Sequence, residues 1–233
     1  MFEEKRIISH RGIYDNKGIF ENTLEAFELA MKKNYIIECD VHLTLDNKIV
    51  VFHDNCLKRF VGKDIVVEKS TYSELNQQNI FHIPLLEELL ELVKGKVPLL
   101  IEIKQLGKVG KLEKILMNIL KKYDGKYAIQ SFNPKVLLWF KKYYPDVLRG
   151  QLACSFKNKR DFSIIKKILL RNMFFNKFTT PHFISYKYNE IKLNKIKYFQ
   201  SKGIKVLGWT VKKTEDYNKF IICFDNLICE DFI

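Results

Sequence analysis

Apolar residues along this chain fall into two patterns, short unbroken runs and runs with helical spacing. From residue 97 onward the patterns alternate: Val97–Ile103 predicts a strand, Gly110–Tyr123 an amphipathic helix and Tyr127–Ser131 the next strand. Further strands are predicted at Arg149–Ala153, Phe183–Ser185, Lys205–Val211 and Asn226–Cys229. Strands that alternate with helices indicate parallel βαβ units, so we expect an irregular (β/α)₈ barrel, with residues 1–233 forming a single domain.

The first third of the chain departs from this regular alternation. Strands are predicted at Arg6–Ser9, Tyr35–Val41 and Ile49–Phe52, with Thr23 as the N-cap of a helix between the first two. A polar turn, too short for a helix, separates the second and third strands. Nine extended segments, one more than such a barrel needs, therefore predict an irregular start. Weak periodicity between residues 61 and 83 predicts a loop.

The net charge of +13 suggests an anionic partner. Only six of the 40 basic residues are arginine, the side chain that readers of base edges and phosphates favour. The lysines are also scattered, so we expect no nucleic-acid partner. The charge is compatible with plain solvation, an anionic substrate or weak membrane-surface association. No apolar run reaches the roughly 20 residues of a membrane span, and the acidic start is unlike a secretory signal, so we expect a cytoplasmic protein.

One segment that is both basic and apolar, Ser155–Phe178, has two interpretations. Leu169-Leu170 and Met173-Phe174-Phe175 stand among lysines, which is typical of a helix that lies on a membrane surface. A barrel helix with a lysine-rich outer face accounts for the same pattern. Both interpretations stay open at this point.

Polar side chains that can perform chemistry stand at or near the ends of the predicted strands. They are His10, Arg11, Asp40, His53, Glu102, Lys104, Ser131 and Trp209. Active sites of parallel α/β barrels gather at the C-terminal ends of the strands. The positions of these side chains therefore predict one catalytic centre at that edge.

A carboxylate cluster is predicted from residue spacing. Glu38 and Asp40 are two residues apart on one strand, so they face the same side of the sheet, and Glu102 and Lys104 repeat this spacing. Three inward carboxylates are costly to bury without a cation. An all-oxygen set favours Mg²⁺ or Ca²⁺ over Zn²⁺, and the five cysteines lack the CxxC spacing of zinc sites. Neutralisation by Lys104 and Arg11 without a metal is the alternative.

The remaining groups suit phosphodiester chemistry. Histidine is the usual proton donor and acceptor near neutral pH, so one of His10 and His53 could deprotonate a nucleophile while the other protonates the leaving oxygen. Arg11 and Lys104 supply positive charge for a phosphate. Together with a metal ion, these groups predict metal-assisted cleavage of a phosphodiester.

Nine short motifs run through most of the chain in order. They are His10-Arg11-Gly12, Glu21-Asn22-Thr23, Glu38-Cys39-Asp40-Val41, Thr44-Leu45-Asp46, Val50–Asp54, Pro84–Leu89, Ile101–Lys104, Ser131–Pro134 and Trp209–Val211. As an ordered set they resemble the glycerophosphodiester phosphodiesterase family, although each motif alone is weak. The resemblance implies an irregular TIM barrel of the phospholipase-C-like phosphodiesterase type. It also implies hydrolysis of a small-molecule glycerophosphodiester to an alcohol and sn-glycerol 3-phosphate.

The resemblance also implies a role for each matching residue. It implies that His10 and His53 are the general acid/base pair and that Glu38, Asp40 and Glu102 are ligands of a divalent ion, Mg²⁺ or Ca²⁺. It implies that Arg11 and Lys104 bind the phosphate. It also implies that Trp209 is an aromatic residue at the mouth of the site and that Glu21 and Asn22 are supporting residues. His42 continues the face of Glu38 and Asp40 and could be a further ligand, but we expect it to be a solvated loop histidine.

Two departures from the family pattern bear on the substrate headgroup. Lys212 follows the WTV motif where the family usually has asparagine, and residues 224–231 read FDNLICED where it usually reads like VDGIxTD. Two other functions therefore stay open. One is a phospholipase-D-like barrel acting on lysophospholipids or sphingolipids, and the other is a non-catalytic module that binds glycerophosphate polymers or membranes.

Overall fold

The computed structural model of the chain describes residues 6–78, 80–104, 108–157, 159 and 162–230. Its fold is the expected irregular (β/α)₈ TIM barrel, with eight parallel strands and helices between them. Two compact units divide the chain. The N-terminal unit is Ser9–Tyr127, and the C-terminal unit comprises the described residues of Met1–Ile8 and Ala128–Phe232. A strand that crosses one of these boundaries is described with the unit that holds most of its residues. The single domain predicted for residues 1–233 stays a prediction.

The N-terminal unit contains the irregular part of the barrel. Its elements are β1 (Ile8–His10), α1 (Leu24–Lys32), β2 (Ile36–Leu43), β3 (Ile49–Val51), α2 (Lys58–Val61), α3 (Tyr72–Asn76), α4 (Leu86–Val93), β4 (Leu99–Ile103) and α5 (Lys111–Leu120). Strand β2 pairs with β1, runs parallel to β4 and forms an antiparallel hairpin with β3. The absence of a helix between β2 and β3, expected from the short polar turn, is confirmed.

Strand β2 is buried along almost its whole length, and this burial determines which side chains reach the site. Residues on one side of β2 are apolar, whereas Glu38, Asp40 and His42 alternate with them on the other. The parallel register places Asp40 opposite Glu102 of β4. Two carboxylates from strands far apart in sequence therefore become neighbours.

The stretch between β3 and α4, which includes the loop predicted for residues 61–83, is mostly irregular but is interrupted by short helices. It contains α2, a 3₁₀ turn at Val67–Lys69 and α3. A small core forms beneath them, with Leu57, Val67, Leu75 and Ile83 fully buried. The sequence pattern misses these short helices because four or five residues are too few to show a 3.6-residue period.

The C-terminal unit continues the regular alternation. Its elements are β5 (Tyr127–Ser131), α6 (Pro134–Tyr143), β6 (Arg149–Ala153), α7 (Ile164–Arg171), α8 (Asn176–Thr179), β7 (Phe183–Lys187), α9 (Leu193–Ser201), β8 (Lys205–Val211), α10 (Thr214–Phe220) and β9 (Asn226–Cys229). Neighbouring strands from β5 to β9 pair in parallel, as predicted. The longest helices of the described residues have ten residues, and none is long and apolar enough to cross a bilayer.

Candidate active site

Three buried carboxylates from β2 and β4 form the centre of the candidate site. The residue exposures of Glu38, Asp40 and Glu102 are 1%, 0% and 7%. Each offers one oxygen, and these oxygens all lie within 4.8 Å of one another. The alternation along β2 places Glu38 and Asp40 on one face, as their two-residue spacing predicts, and the register with β4 adds Glu102.

Two cations contact the cluster. The Lys104 Nζ atom lies 2.6 Å from Glu102 Oε1 and 3.1 Å from Asp40 Oδ1. The Arg11 Nε atom lies 3.3 Å from Asp40 Oδ2, and the Arg11 backbone N–H donates to Glu38 Oε2 at 3.2 Å. The cluster thus has three carboxylates and two cationic side chains. One of the two cations, Arg11, also contacts Glu21.

The three carboxyl groups differ in acidity because their neighbours differ. Burial opposes ionisation of Asp40, yet Lys104, His53, Arg11 and His10 together hold the pKa of this carboxyl well below its usual range. Burial, and then repulsion from the other two carboxylates, raise the pKa of Glu38 well above its ordinary value. Burial also raises the pKa of Glu102, although Lys104 opposes this. Of the three carboxyl groups, Glu38 is therefore the one whose ionisation is most opposed by its surroundings.

The Glu21-Asn22-Thr23 motif organises the loop that enters α1. Asn22 donates from Nδ2 to Asp40 Oδ2 at 2.9 Å and accepts from the Asp40 backbone N–H through Oδ1 at 3.3 Å. Thr23 accepts from the Ala26 backbone N–H and caps α1, which confirms the predicted N-cap. Asn22 has a positive φ of 58°, a conformation that asparagine tolerates better than most residues. The motif therefore holds the carboxylate of Asp40 in place and starts α1 at the same point.

Steric crowding explains why the His10-Arg11-Gly12 motif ends in glycine. Gly12 has a φ of 83°, and a Cβ atom built on it would lie 2.7 Å from the Ala26 carbonyl carbon. A side chain would push this loop away from α1. Close contact with α1 therefore keeps Arg11 beside Glu38 and Asp40.

The two predicted catalytic histidines lie at the ends of β1 and β3. His53 Nδ1 is 2.6 Å from Asp54 Oδ1, and His10 is the last residue of β1. Both imidazoles are close enough to Asp40 to lower the pKa of its carboxyl. The bond to Asp54 orients the His53 ring with Nδ1 as the donor, so that Nε2 is the atom available to exchange a proton.

Arg59 connects the acid beside His53 with the acid beside Arg11. Its Nε donates to Asp54 Oδ2 at 2.7 Å, while Nη1 and Nη2 donate to Glu21 Oε2 and Oε1 at 3.0 and 2.5 Å. Glu21 also accepts from Arg11 Nη1 at 2.8 Å. Burial disfavours the charge of Glu21, yet the two arginines hold its pKa below the ordinary value.

Sequence reasoning did not select Arg59, although one signal was present. The chain uses only six arginines against 34 lysines, and two of these six are Arg11 and Arg59. Arginine is the side chain that can bridge two carboxylates with a planar fork. An arginine in a lysine-rich chain, close after the His53 motif, therefore indicates a position where lysine does not suffice.

His42 corrects one prediction. It is fully buried on β2 and is not a solvated loop residue, because the strand continues through Leu43. Its Nε2 lies 3.3 Å from the His53 carbonyl oxygen. Burial lowers the pKa of His42 to about 4, so the ring is neutral near pH 7 and can donate this bond. His42 thereby supports the backbone that presents the His53 side chain.

Comparison with known proteins identifies the class of this site. The model of the glycerophosphoryl diester phosphodiesterase family matches residues 10–226. The chain belongs to this family. A glycerophosphodiester phosphodiesterase of Caldanaerobacter subterraneus subsp. tengcongensis is 30% identical in an alignment that covers 97% of this chain and 93% of that protein.

Solved structures of this family share the fold. A glycerophosphodiester phosphodiesterase from Thermotoga maritima has a TM-score of 0.74 and 28% identity, and the match covers 96% of this chain and 94% of the other. An Oleispira antarctica phosphodiesterase, solved in complex with the product sn-glycerol-3-phosphate, has a TM-score of 0.79 and 23% identity, with 96% and 92% coverage. This chain is accordingly an enzyme of the glycerophosphodiester phosphodiesterase class.

Of the ten residues to which the family resemblance gives a role, nine belong to the N-terminal unit. The exception is Trp209, which lies on β8 of the C-terminal unit with its ring edge-on to Phe132 at 5.6 Å. Its place at the mouth of the site stays a prediction. Ser131 accepts from the Asn133 backbone N–H at 3.2 Å and so belongs to the turn before α6.

The two departures from the family pattern lie together. Lys212 Nζ is 2.6 Å from Glu230 Oε1, an ion pair between the two segments that differ from the pattern. This phosphodiesterase thus has a charged pair after β8 and β9 where the usual asparagine is absent.

Proposed function

We propose that this glycerophosphodiester phosphodiesterase cleaves its substrate by general acid/base catalysis with His10 and His53 beside a divalent ion. The products are an alcohol and sn-glycerol 3-phosphate. One observation carries the proposal: three buried carboxylates converge within 4.8 Å, with Arg11, Lys104 and the Asp54-oriented His53 around them.

The residues fit a hard divalent cation. Glu38, Asp40 and Glu102 offer oxygen donors only, which suits Mg²⁺ or Ca²⁺. Asp40 Oδ1 is fully buried and accepts no hydrogen bond from the described part of the chain. Its contact with Lys104 is an ion pair without hydrogen-bond geometry. A bound ion would satisfy this oxygen and supply Lewis-acid polarisation of the phosphodiester.

The proton transfers are assigned to the two imidazoles. One histidine removes a proton from the nucleophile, either water or the neighbouring glycerol hydroxyl, as the new P–O bond forms. The other gives a proton to the departing alcohol oxygen as the old P–O bond breaks. His53 acts through Nε2 because Nδ1 is held by Asp54. After hydrolysis by water, the first histidine holds an extra proton and the second lacks one. Release of one proton to solvent and uptake of one proton from solvent restore both histidines.

Arg11 and Lys104 are proposed to hold the phosphate. Their charges are permanent near pH 7: although burial opposes it, Asp40 raises the pKa of both side chains above the ordinary value. Because they already contact the carboxylates, they are positioned before substrate arrives. Preorganised cations stabilise the extra negative charge of the transition state without reorganisation.

The test measures hydrolysis of glycerophosphocholine with added Mg²⁺ or Ca²⁺. We expect release of choline and sn-glycerol 3-phosphate in equal amounts, and a loss of turnover on the order of 10² or more in His10→Ala and His53→Ala. Undiminished turnover in both variants would reject the acid/base assignment. Choline release from lysophosphatidylcholine alone would favour the phospholipase-D-like alternative. Tight binding of glycerophosphate polymers without turnover in either metal would favour the non-catalytic module.

A further inference from the structure

Helix α7 presents its apolar side to solvent. Ile164 and Ile165 are 76% and 71% exposed, Ile168 is 43% exposed, and no residue of α7 is buried. With 3.6 residues per turn, these three isoleucines lie within an arc of about 100°. A barrel helix normally turns such an arc toward the strands. In α7 only the opposite side, through Leu170, packs against the core.

The apolar surface continues beyond α7. Phe174 and Phe178 are 45% and 50% exposed. Lys177 Nζ lies 3.9 Å from the Phe174 ring centre and 4.9 Å from that of Phe178. We call the exposed side chains of Ile164, Ile165, Ile168, Phe174 and Phe178 the α7–α8 surface. It combines aliphatic and aromatic groups with a cation at the same place.

The charge around the α7–α8 surface is of one sign. Between residues 162 and 182 the sequence has Lys166, Lys167, Arg171 and Lys177 and no aspartate or glutamate. Lys166 Nζ lies 3.7 Å from the Phe162 ring centre, so its stem follows apolar surface while its charge stays at the edge. The α7–α8 surface therefore favours a partner with an apolar interior and negative charges at its surface.

A second copy of the chain does not meet this requirement. In a two-fold dimer each surface patch faces itself, so these four cations would oppose the same four cations without an acid between them. A bilayer with anionic headgroups offers both properties at once, and it needs no shape-matched groove. Isoleucine and phenylalanine can enter the boundary of the acyl chains, while lysines reach the phosphates.

We propose that the α7–α8 surface binds the surface of membranes that contain anionic lipid. The isoleucines and phenylalanines supply the apolar contact, and the flanking lysines supply the dependence on anionic headgroups. The interaction concerns the C-terminal unit alone and does not depend on the catalytic proposal. Of the two interpretations of Ser155–Phe178, the proposal adopts the interfacial helix.

Sedimentation with vesicles tests the proposal. The full-length protein is mixed at low salt with vesicles of two parts phosphatidylcholine to one part phosphatidylglycerol, or of phosphatidylcholine alone. We expect binding to the anionic vesicles only, and a loss of binding at high salt. Ile164→Ser with Ile165→Ser should weaken binding by about tenfold or more, because two of the most exposed apolar groups no longer enter the membrane.

Two matched variants serve as controls. Ile222→Ser removes an isoleucine that is 80% exposed but lies outside the surface, and it should bind like the wild type. Lys166→Glu with Lys167→Glu should weaken binding by about tenfold or more, whereas Lys32→Glu with Lys33→Glu makes the same change of net charge on α1 and should have little effect. Circular dichroism melts confirm that each variant is folded.

Three results would overturn the proposal. Wild-type protein that stays in the supernatant with anionic vesicles at low salt does so directly. Equal losses in the Lys32/Lys33 and Lys166/Lys167 variants would reduce the effect to net charge. A dimer in light scattering that the Ile164/Ile165 double variant abolishes would assign the surface to a second copy instead.

Discussion

Replacing Arg59 with methionine tests the ion-pair network most directly. Methionine keeps much of the side-chain length but removes the fork that contacts Glu21 and Asp54. Glu21, with a side chain only 5% exposed, would keep Arg11 as its arginine partner. Asp54 would keep His53 but lose the contact that holds its other oxygen. The variant should therefore affect both stability and the orientation of His53.

The size of the effect follows from exposure. Removing one partner of a buried ion pair costs about 3–5 kcal/mol, whereas exposed pairs contribute about 0–1 kcal/mol. The Arg59 side chain is 41% exposed and its partner Glu21 is buried, so the network lies between these limits. We expect a loss of about 2 kcal/mol in the free energy of unfolding. For a chain of this size that corresponds to a fall in Tm of about 4–8 °C.

The assay pairs a thermal melt with steady-state hydrolysis of glycerophosphocholine. With Asp54 less firmly held, kcat should fall about tenfold while KM changes little, because catalytic orientation is lost and substrate contacts are kept. Arg59→Lys keeps the charge but can serve only one of the two acids well, so it should recover part of the stability and less of kcat.

The neighbouring residue provides the control. Lys58 forms an ion pair with Asp64 at 2.9 Å, but both side chains are more than 60% exposed. Lys58→Met should therefore leave Tm and kcat unchanged within measurement. If Arg59→Met behaves like Lys58→Met in both measurements, Arg59 neither stabilises the protein nor orients the catalytic histidine, and the reasoning from contacts and burial is refuted.

Three further outcomes are expected. Chelation by EDTA should abolish hydrolysis, and Mg²⁺ or Ca²⁺ should restore it; full activity after dialysis against EDTA would contradict the metal proposal. Asp40→Asn should remove the increase in Tm that added metal gives the wild type, as a metal titration followed by melting would record. The pKa of Tyr186 is raised from 10.0 to about 12, chiefly by burial, so its contribution to stability is complete below pH 10 and is lost as the pH rises toward 12. Tyr186→Phe should thus lose less stability than the wild type over that interval in denaturant titrations.

Much of the carboxylate cluster could be predicted because a strand has a side-chain period of two. The spacing of Glu38 and Asp40 gives their common direction without any knowledge of the fold. The place of β4 beside β2 cannot be predicted in this way, because the register between the two strands depends on packing along the whole barrel. The position of Glu102 next to Asp40 therefore needed either the family motif or the structure.

Other features could not be predicted because their causes are not local. The contact between Arg59 and Glu21 joins residues 38 positions apart, and no periodicity reports such a pair. The prediction of a solvated His42 is wrong for a related reason. The burial of His42 depends on how far β2 continues before the hairpin, whereas the polar pattern there suggests a loop. The short helices after β3 are stable only through the core beneath them.

The charges of the whole network give a physical reason for a divalent ion. Five carboxylates, those of Glu21, Glu38, Asp40, Asp54 and Glu102, connect through three permanent cations, those of Arg11, Arg59 and Lys104. With neutral histidines this leaves two negative charges, and the raised pKa of Glu38 shows where burial and repulsion make them most costly. In the proposed metal site, one divalent cation among the three central oxygens would compensate both charges. A monovalent ion leaves one of them, so divalent ions should bind far more tightly, and Glu102→Gln should reduce that preference by removing one of the two charges.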